Sequence, residues 1–158
     1  MKKLVLFLSF ATVFFLSGGC IKNEVSCTPK TIASEDAEMQ ATAASLAPGL
    51  TFTKHSSGMY YYIENPGSGP TPTSTSTLSV KYKGQLSNGT IFDQTTTTPV
   101  NFTLSGVIFG WQIALPLIQK GGKIKMIIPS TYGYGCTANG PIPAYSILYF
   151  EVELIDVL

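Results

Sequence analysis

The sequence predicts an α+β domain in which about five antiparallel strands pack against one short α-helix. Two patterns carry that expectation. Apolar and polar residues alternate with period two in segments 78–86, 123–128 and 147–155, as strands do when one face lies in a core, and 59–63 reads as a further short strand. Turn residues separate these segments, and within the same region one stretch, 111–118, shows an apolar face at helical spacing.

The chain divides before that domain begins. Lys2 and Lys3 precede an apolar run over 4–16, followed by Ser17-Gly18-Gly19-Cys20, so residues 1–19 read as an export signal. At about 13 residues the run is shorter than the ~18–20 that a membrane-spanning helix needs. Small residues ahead of a cysteine resemble the bacterial lipobox, which implies that Cys20 is lipidated and becomes the mature N-terminus, although Ser17 stands where that pattern prefers Leu16. Ile21 follows, rather than the aspartate of an inner-membrane retention signal, which points to an outer membrane. The expected location is therefore the bacterial cell envelope, with a lipid holding the chain to the membrane.

Residues 20–57 are polar and alanine-rich, with Thr28-Pro29 and Pro48-Gly49 as breakers, and read as a tether. Inside it Ser34, followed by Glu35, Asp36 and Glu38, offers an N-cap with acids in the first turn of a helix through Leu46. Its apolar face, Met39, Ala43 and Leu46, is thin. It reads as a marginal helix in a spacer; the alternative is a helix docked on the domain or on a partner.

The domain itself spans 58–158. Strand 59–63 ends at Asn65-Pro66-Gly67-Ser68-Gly69-Pro70, and the Pro/Thr/Ser stretch over 70–77 is a loop between strands. Leu78, Val80, Tyr82 and Leu86 then share one face while Ser79, Lys81, Lys83 and Gln85 share the other, and Asn88-Gly89 supplies the positive φ of a tight hairpin. After Ile91-Phe92-Asp93, residues 94–99 are expected as a loop and 100–104 as a short strand. Trp111, Leu115 and Ile118 form the helical face, but Pro116 cannot donate a backbone bond, so that helix must be short or distorted. Gly121-Gly122 ends it. Ile124, Met126 and Ile128 point inward from the next strand; in the last, Leu148, Phe150, Val152 and Leu154 oppose Tyr149, Glu151 and Glu153.

Composition excludes several classes of function. Ten lysines against nine acids give +1, and losing Lys2 and Lys3 with a leader leaves eight against nine, −1, too little positive charge for a phosphate-neutralising nucleic-acid binder. His55 alone, with three cysteines, leaves too few ligands for a zinc site of usual spacing and disfavours Ser-His-Asp or Cys-His schemes. Gly121-Gly122-Lys123 lacks the rest of a phosphate loop, and Cys136 has no histidine nearby in its motif to activate it. In an oxidising compartment, with Cys20 acylated, Cys27 and Cys136 remain as an even pair. They are expected to form a disulfide closing a loop of about 110 residues; the alternative is a free Cys27 in the spacer and Cys136 as a small buried hydrophobe.

Over about residues 58–157 the chain resembles the FKBP-type peptidyl-prolyl cis-trans isomerases. The resemblance rests on Val80-Lys81-Tyr82-Lys83-Gly84, Asn88-Gly89-Thr90-Ile91-Phe92-Asp93, Val107-Ile108-Phe109-Gly110-Trp111, Tyr132-Gly133-Tyr134-Gly135, Ile142-Pro143 and Leu148-Tyr149-Phe150-Glu151-Val152-Glu153-Leu154, each at the family's spacing. It implies a twisted antiparallel sheet wrapped around the one helix, with an apolar pocket between them.

By position the resemblance assigns catalysis to Tyr82, Phe92, Asp93, Trp111, Tyr134 and Phe150, and substrate binding to Val107, Ile108 and Ile142. Trp111 would form the floor and Tyr82, Phe92 and Phe150 the walls. The Tyr134 hydroxyl and the Ile108 N–H would hold peptide carbonyls, and Asp93 would orient Tyr82. Physical sense agrees, since the barrier of ~18–20 kcal/mol to rotation about an X-Pro bond falls when the amide leaves water for an apolar site, which requires neither metal nor cofactor. The implied partners are proline-containing unfolded or exported polypeptides. Val100 stands where many relatives carry a second pocket phenylalanine, residues 94–99 supply threonines in place of an arginine, and Gly106 replaces an acid that helps bind macrolide inhibitors. The alternative function on the same fold is a noncatalytic proline-peptide-binding, chaperone or scaffold domain.

Overall fold

The computed structural model describes residues 27–158. The export signal and Cys20 lie outside the described residues. The elements are α1 (Ile32–Leu46), β1 (Thr53–Lys54), β2 (Tyr60–Asn65), β3 (Thr77–Leu86), β4 (Ile91–Thr103), α2 (Phe109–Ala114), β5 (Lys123–Ile128) and β6 (Leu148–Val157). Six strands form one antiparallel sheet in the order β1-β2-β5-β6-β3-β4, so the α+β class holds. The strand beyond the expected five is β1, whose two residues pair with Tyr60 and Tyr61 and are too few to show an alternating pattern.

The inward faces expected of β3, β5 and β6 form the core. Leu78, Val80, Ile124, Met126, Ile128, Leu148, Phe150, Val152 and Leu154 are all buried, and α2 lies across them with Trp111 and Ala114. A Cβ on Gly110 would come within 2.5 Å of the Ile128 side chain, so glycine there lets α2 approach β5 closely. The helix is short for the expected reason: Pro116 falls in a 3-10 turn, Leu115–Leu117, that replaces further α-helix while keeping Leu115 and Ile118 buried.

Strand β4 differs from expectation, because residues 94–99 belong to it rather than to a loop. Val80 faces Val100 and Tyr82 faces Thr95, so residues 96–99 bulge opposite Lys81 alone. The β-branched threonines favour extended backbone, and Pro99, which has no N–H, sits in the bulge where the ladder needs none.

The larger correction concerns α1, which is seated on the outer face of the sheet rather than being a spacer. Its N-cap is Thr31, whose Oγ1 accepts from the Ser34 N–H at 3.2 Å; Ser34 lies inside the first turn and donates its hydroxyl to the Thr31 carbonyl. The buried stripe is Glu35, Met39 and Thr42, and Met39 packs with Ala47, Ile127, Ile147 and Tyr149. Tyr149 is therefore buried, not solvent-facing. It stands directly across from Ile127, and this outward apolar pair is the patch that α1 covers. At the edge, Asp36 accepts from Tyr60 at 2.9 Å and pairs with Lys54; these contacts, Lys54 first, hold its carboxyl below the usual aspartate range.

Met39→Ala distinguishes a docked helix from a spacer. Deleting a fully buried methionine from a core costs about 2–5 kcal/mol, and a helix open to solvent on one side can relax into the gap, so about 2–3 kcal/mol is expected. The urea midpoint of the mature protein should fall accordingly, whereas a free tether would leave it unmoved.

The rest of the outer face carries Lys83–Glu151, Lys125–Glu151, Lys125–Glu64 and Lys123–Glu153 pairs. Cys27 and Cys136 are joined as a disulfide, with Cα atoms 5.6 Å apart, which ties the start of the described chain to the loop after Tyr134-Gly135. No helix among the described residues is long and apolar enough to cross a membrane.

Candidate active site

Between α2 and the inner face of β3, β4 and β6 lies a cavity of about 310 Å³, lined by Tyr82, Phe92, Asp93, Phe102, Gly106, Val107, Ile108, Trp111, Tyr134 and Phe150. Each position follows from local structure. Tyr82, Phe92 and Phe150 come from the inner faces of β3, β4 and β6, where period two aims them at the helix. Val107 and Ile108 lead into α2, which delivers Trp111 from its first turn.

The rings meet edge to face. Trp111 is the hub, with centroids 5.3 Å from Phe150, 5.4 Å from Tyr82 and 6.1 Å from Phe102, at interplanar angles of 86°, 81° and 90°. Phe92 packs on Phe150 at 5.5 Å and 84°. That contact depends on Gly84: a Cβ there would lie 2.7 Å from both Phe92 and Phe150. Such contacts keep the walls apolar and rigid, each contributing about 0.5–1.5 kcal/mol beyond area burial.

One polar pair interrupts the apolar surface. The Tyr82 hydroxyl donates to Asp93 Oδ2 at 2.5 Å, and burial, then this bond, push the phenol well above its usual range. Tyr82 therefore stays protonated and oriented. At the mouth, Val107 N–H is bonded to the Leu104 carbonyl and Trp111 N–H to that of Ile108, while the Ile108 N–H has no backbone acceptor among the described residues. Among the described residues no three His, Cys, Asp or Glu side chains gather as a metal-binding group.

Eight of the nine residues assigned from the sequence come together here. Ile142 does not line the cavity. Reciprocal backbone bonds with Asn139, at 2.9 and 3.0 Å, turn the chain so that Ile142 packs into the core with 4% of its surface exposed. Phe102 takes a place in the wall that no sequence assignment gave it, two residues beyond Val100 on the same face of β4. The alternation of Val100 and Phe102 on one face of β4 was the available signal.

A second depression, about 280 Å³, lies on the outer face among Lys81, Lys83, Lys123, Lys125, Glu64, Glu151 and Glu153. Its carboxylates are engaged with lysines of the same face, so the aromatic cavity is the candidate site.

A small antiparallel sheet packed on the short helix α2, with a ring of aromatics between them, defines an α+β domain built around one apolar, ring-lined cavity. A sequence profile described as FKBP-type peptidyl-prolyl cis-trans isomerase matches residues 69–155, and the chain belongs to that family. Similar proteins include the FKBP-type peptidyl-prolyl cis-trans isomerase FkpA of Buchnera aphidicola subsp. Schizaphis graminum, 46% identical over 108 residues, which are 66% of this chain and 43% of the relative. A probable FKBP-type peptidyl-prolyl cis-trans isomerase of Haemophilus influenzae is 44% identical over 72% of this chain and 48% of its own length. Among solved structures, FkpA from Escherichia coli superposes with a TM-score of 0.70 at 38% identity, covering 80% of this chain and 60% of that one. A peptidyl-prolyl cis-trans isomerase from Pseudomonas syringae gives 0.66 at 37%, covering 82% and 97%. The chain spans less than half the length of these two curated relatives.

Proposed function

We propose that the chain is a peptidyl-prolyl cis-trans isomerase acting on proline-containing, unfolded or exported polypeptides in a bacterial envelope. The observation that carries this reading is the aromatic cavity with Trp111 at its floor. A proline ring seated on Trp111, between Tyr82, Phe92 and Phe150, brings its amide out of water. Loss of hydration lowers the amide resonance that opposes twisting, and the ~18–20 kcal/mol barrier falls with it. The Ile108 N–H and the Tyr134 hydroxyl hold carbonyls of the flanking peptide, so the chain on one side of the bond is fixed while the other rotates. Asp93 fixes Tyr82 in the wall and places negative charge beside the twisting amide.

A protease-coupled cis-trans assay on a proline peptide tests the reading. Acceleration over the uncatalysed rate supports it; peptide binding without acceleration would leave a noncatalytic binding domain. The pocket contains no histidine and Tyr82 is pushed up, so kcat/KM should be flat between about pH 6 and 9. A bell-shaped profile would mean that a titrating acid or base takes part.

We further propose that a lipid on Cys20 anchors the mature chain, at the outer membrane. The support is the leader over 1–19 with its small residues before Cys20. Cys20→Ala should abolish acyl labelling and release the protein from the detergent-extracted membrane fraction or stall processing. Equal membrane association without label on the parent would overturn it.

A further inference from the structure

Residues 27–35 precede the region matched by the family profile, yet they grip the loop that carries Tyr134 at several points. Beside the Cys27–Cys136 bond, Thr131 Oγ1 donates to the Lys30 carbonyl at 2.7 Å, and Lys30 Nζ lies 5.6 Å over the Tyr145 ring. The innermost contact comes from Glu35. This carboxylate is 1% exposed, in the buried stripe of α1, and its Oε2 accepts the Ser130 N–H at 2.9 Å across 95 residues of chain. Lys30 Nζ, 3.9 Å from Oε1, is the nearby cation.

A buried carboxylate is costly to keep, and seating a helix on an apolar patch does not require one. What it holds is informative. Ser130 opens the 3-10 turn Ser130–Tyr132, and its carbonyl accepts both the Gly133 N–H at 3.0 Å and the Gly135 N–H at 2.8 Å. Tyr134, in the pocket wall, stands between those two glycines. Any shift of Ser130 thus moves both neighbours of Tyr134, and a charge-assisted bond is the strong kind for preventing it.

We propose that Glu35 is a positioning residue: by holding the Ser130 turn it sets Tyr134 in the pocket wall, making the segment ahead of the family domain part of its active unit. The kinetic part of the proposal rests on the isomerase reading above, and the structural part does not. In the mature protein, Glu35→Ala should raise KM for a proline peptide about tenfold with kcat nearly unchanged, since Tyr134 is assigned to hold a peptide carbonyl in ground and transition states alike. Glu35→Gln keeps an acceptor for Ser130 and should restore KM to within about twofold. Met39→Ala loosens the same helix without touching Ser130 and should leave KM unchanged well below its melting temperature. In a Tyr134→Phe background the Glu35→Ala effect should vanish.

Amide hydrogen exchange provides a readout independent of catalysis. Gly133 and Gly135 should exchange at least about tenfold faster in Glu35→Ala and keep parental rates in Met39→Ala. Faster exchange in Glu35→Ala, together with a parent that does not accelerate isomerisation, would overturn the isomerase reading and keep the structural role. Unchanged exchange at both glycines, or equal KM changes in Glu35→Ala and Met39→Ala, would overturn the positioning role.

Discussion

Phe92→Ala should lower kcat/KM for a proline peptide at least tenfold, about 1.4 kcal/mol of lost transition-state stabilisation, while the protein stays folded. The ring is only partly buried and contributes a wall, packed edge to face on Phe150, rather than the centre of the core. Its removal opens the cavity to water on the side of the Tyr82–Asp93 pair, so a seated amide is rehydrated and its resonance restored. Asp93→Ala should act in the same direction by freeing the Tyr82 hydroxyl. Circular dichroism and the urea midpoint verify folding. A folded Phe92→Ala protein turning over at the parent's rate would remove the cavity from the mechanism.

The largest expected effect on stability comes from the Cys27–Cys136 bond. It spans 109 residues of sequence, and closing so long a loop restricts the unfolded chain by about 4–5 kcal/mol in the chain-entropy model. Cys27→Ser should therefore lower the melting temperature by on the order of 10 °C. Denatured, unreduced parent protein should show no reactive thiol at either position, whereas two would exclude the bridge. Activity well below the melting temperature should persist within about twofold, because neither cysteine lines the cavity and the Glu35–Ser130 contact is left in place.

The sheet and its inner face were legible in the sequence because period two is a local property. Leu78, Val80 and Tyr82, or Leu148, Phe150 and Val152, point to one side whatever lies beyond them, and the structure packs them into or against the core as the alternation requires, Tyr82 only partly buried where it lines the cavity. Pro116 announced the short helix for an equally local reason, since its missing N–H acts within one turn. Eight of the ten cavity residues were accessible through motif spacing, which encodes which strand ends face the helix.

What escaped the sequence depends on partners far apart in the chain. Tyr149 and Ile127 interrupt polar outward faces, but only the pairing of β5 with β6 makes them one apolar patch. Likewise α1 has a stripe of Glu35, Met39 and Thr42 whose polar members disguise a buried face, and it becomes a docked helix only against that patch. Ile142 looked like a wall residue until the Asn139 turn directed it inward, and Phe102 enters the wall because the bulge over 96–99 sets the register of β4. Propensity and periodicity act over a few residues, so the sequence by itself determined the inner faces of β3, β5 and β6, the short helix and most of the aromatic set, while β1, the extent of β4 and the place of Phe102 were not legible in it. The tertiary structure decided which outward faces are covered, which rings reach the cavity, and that Glu35 meets Ser130 across 95 residues, because burial and hydrogen-bond satisfaction are settled only when distant segments meet.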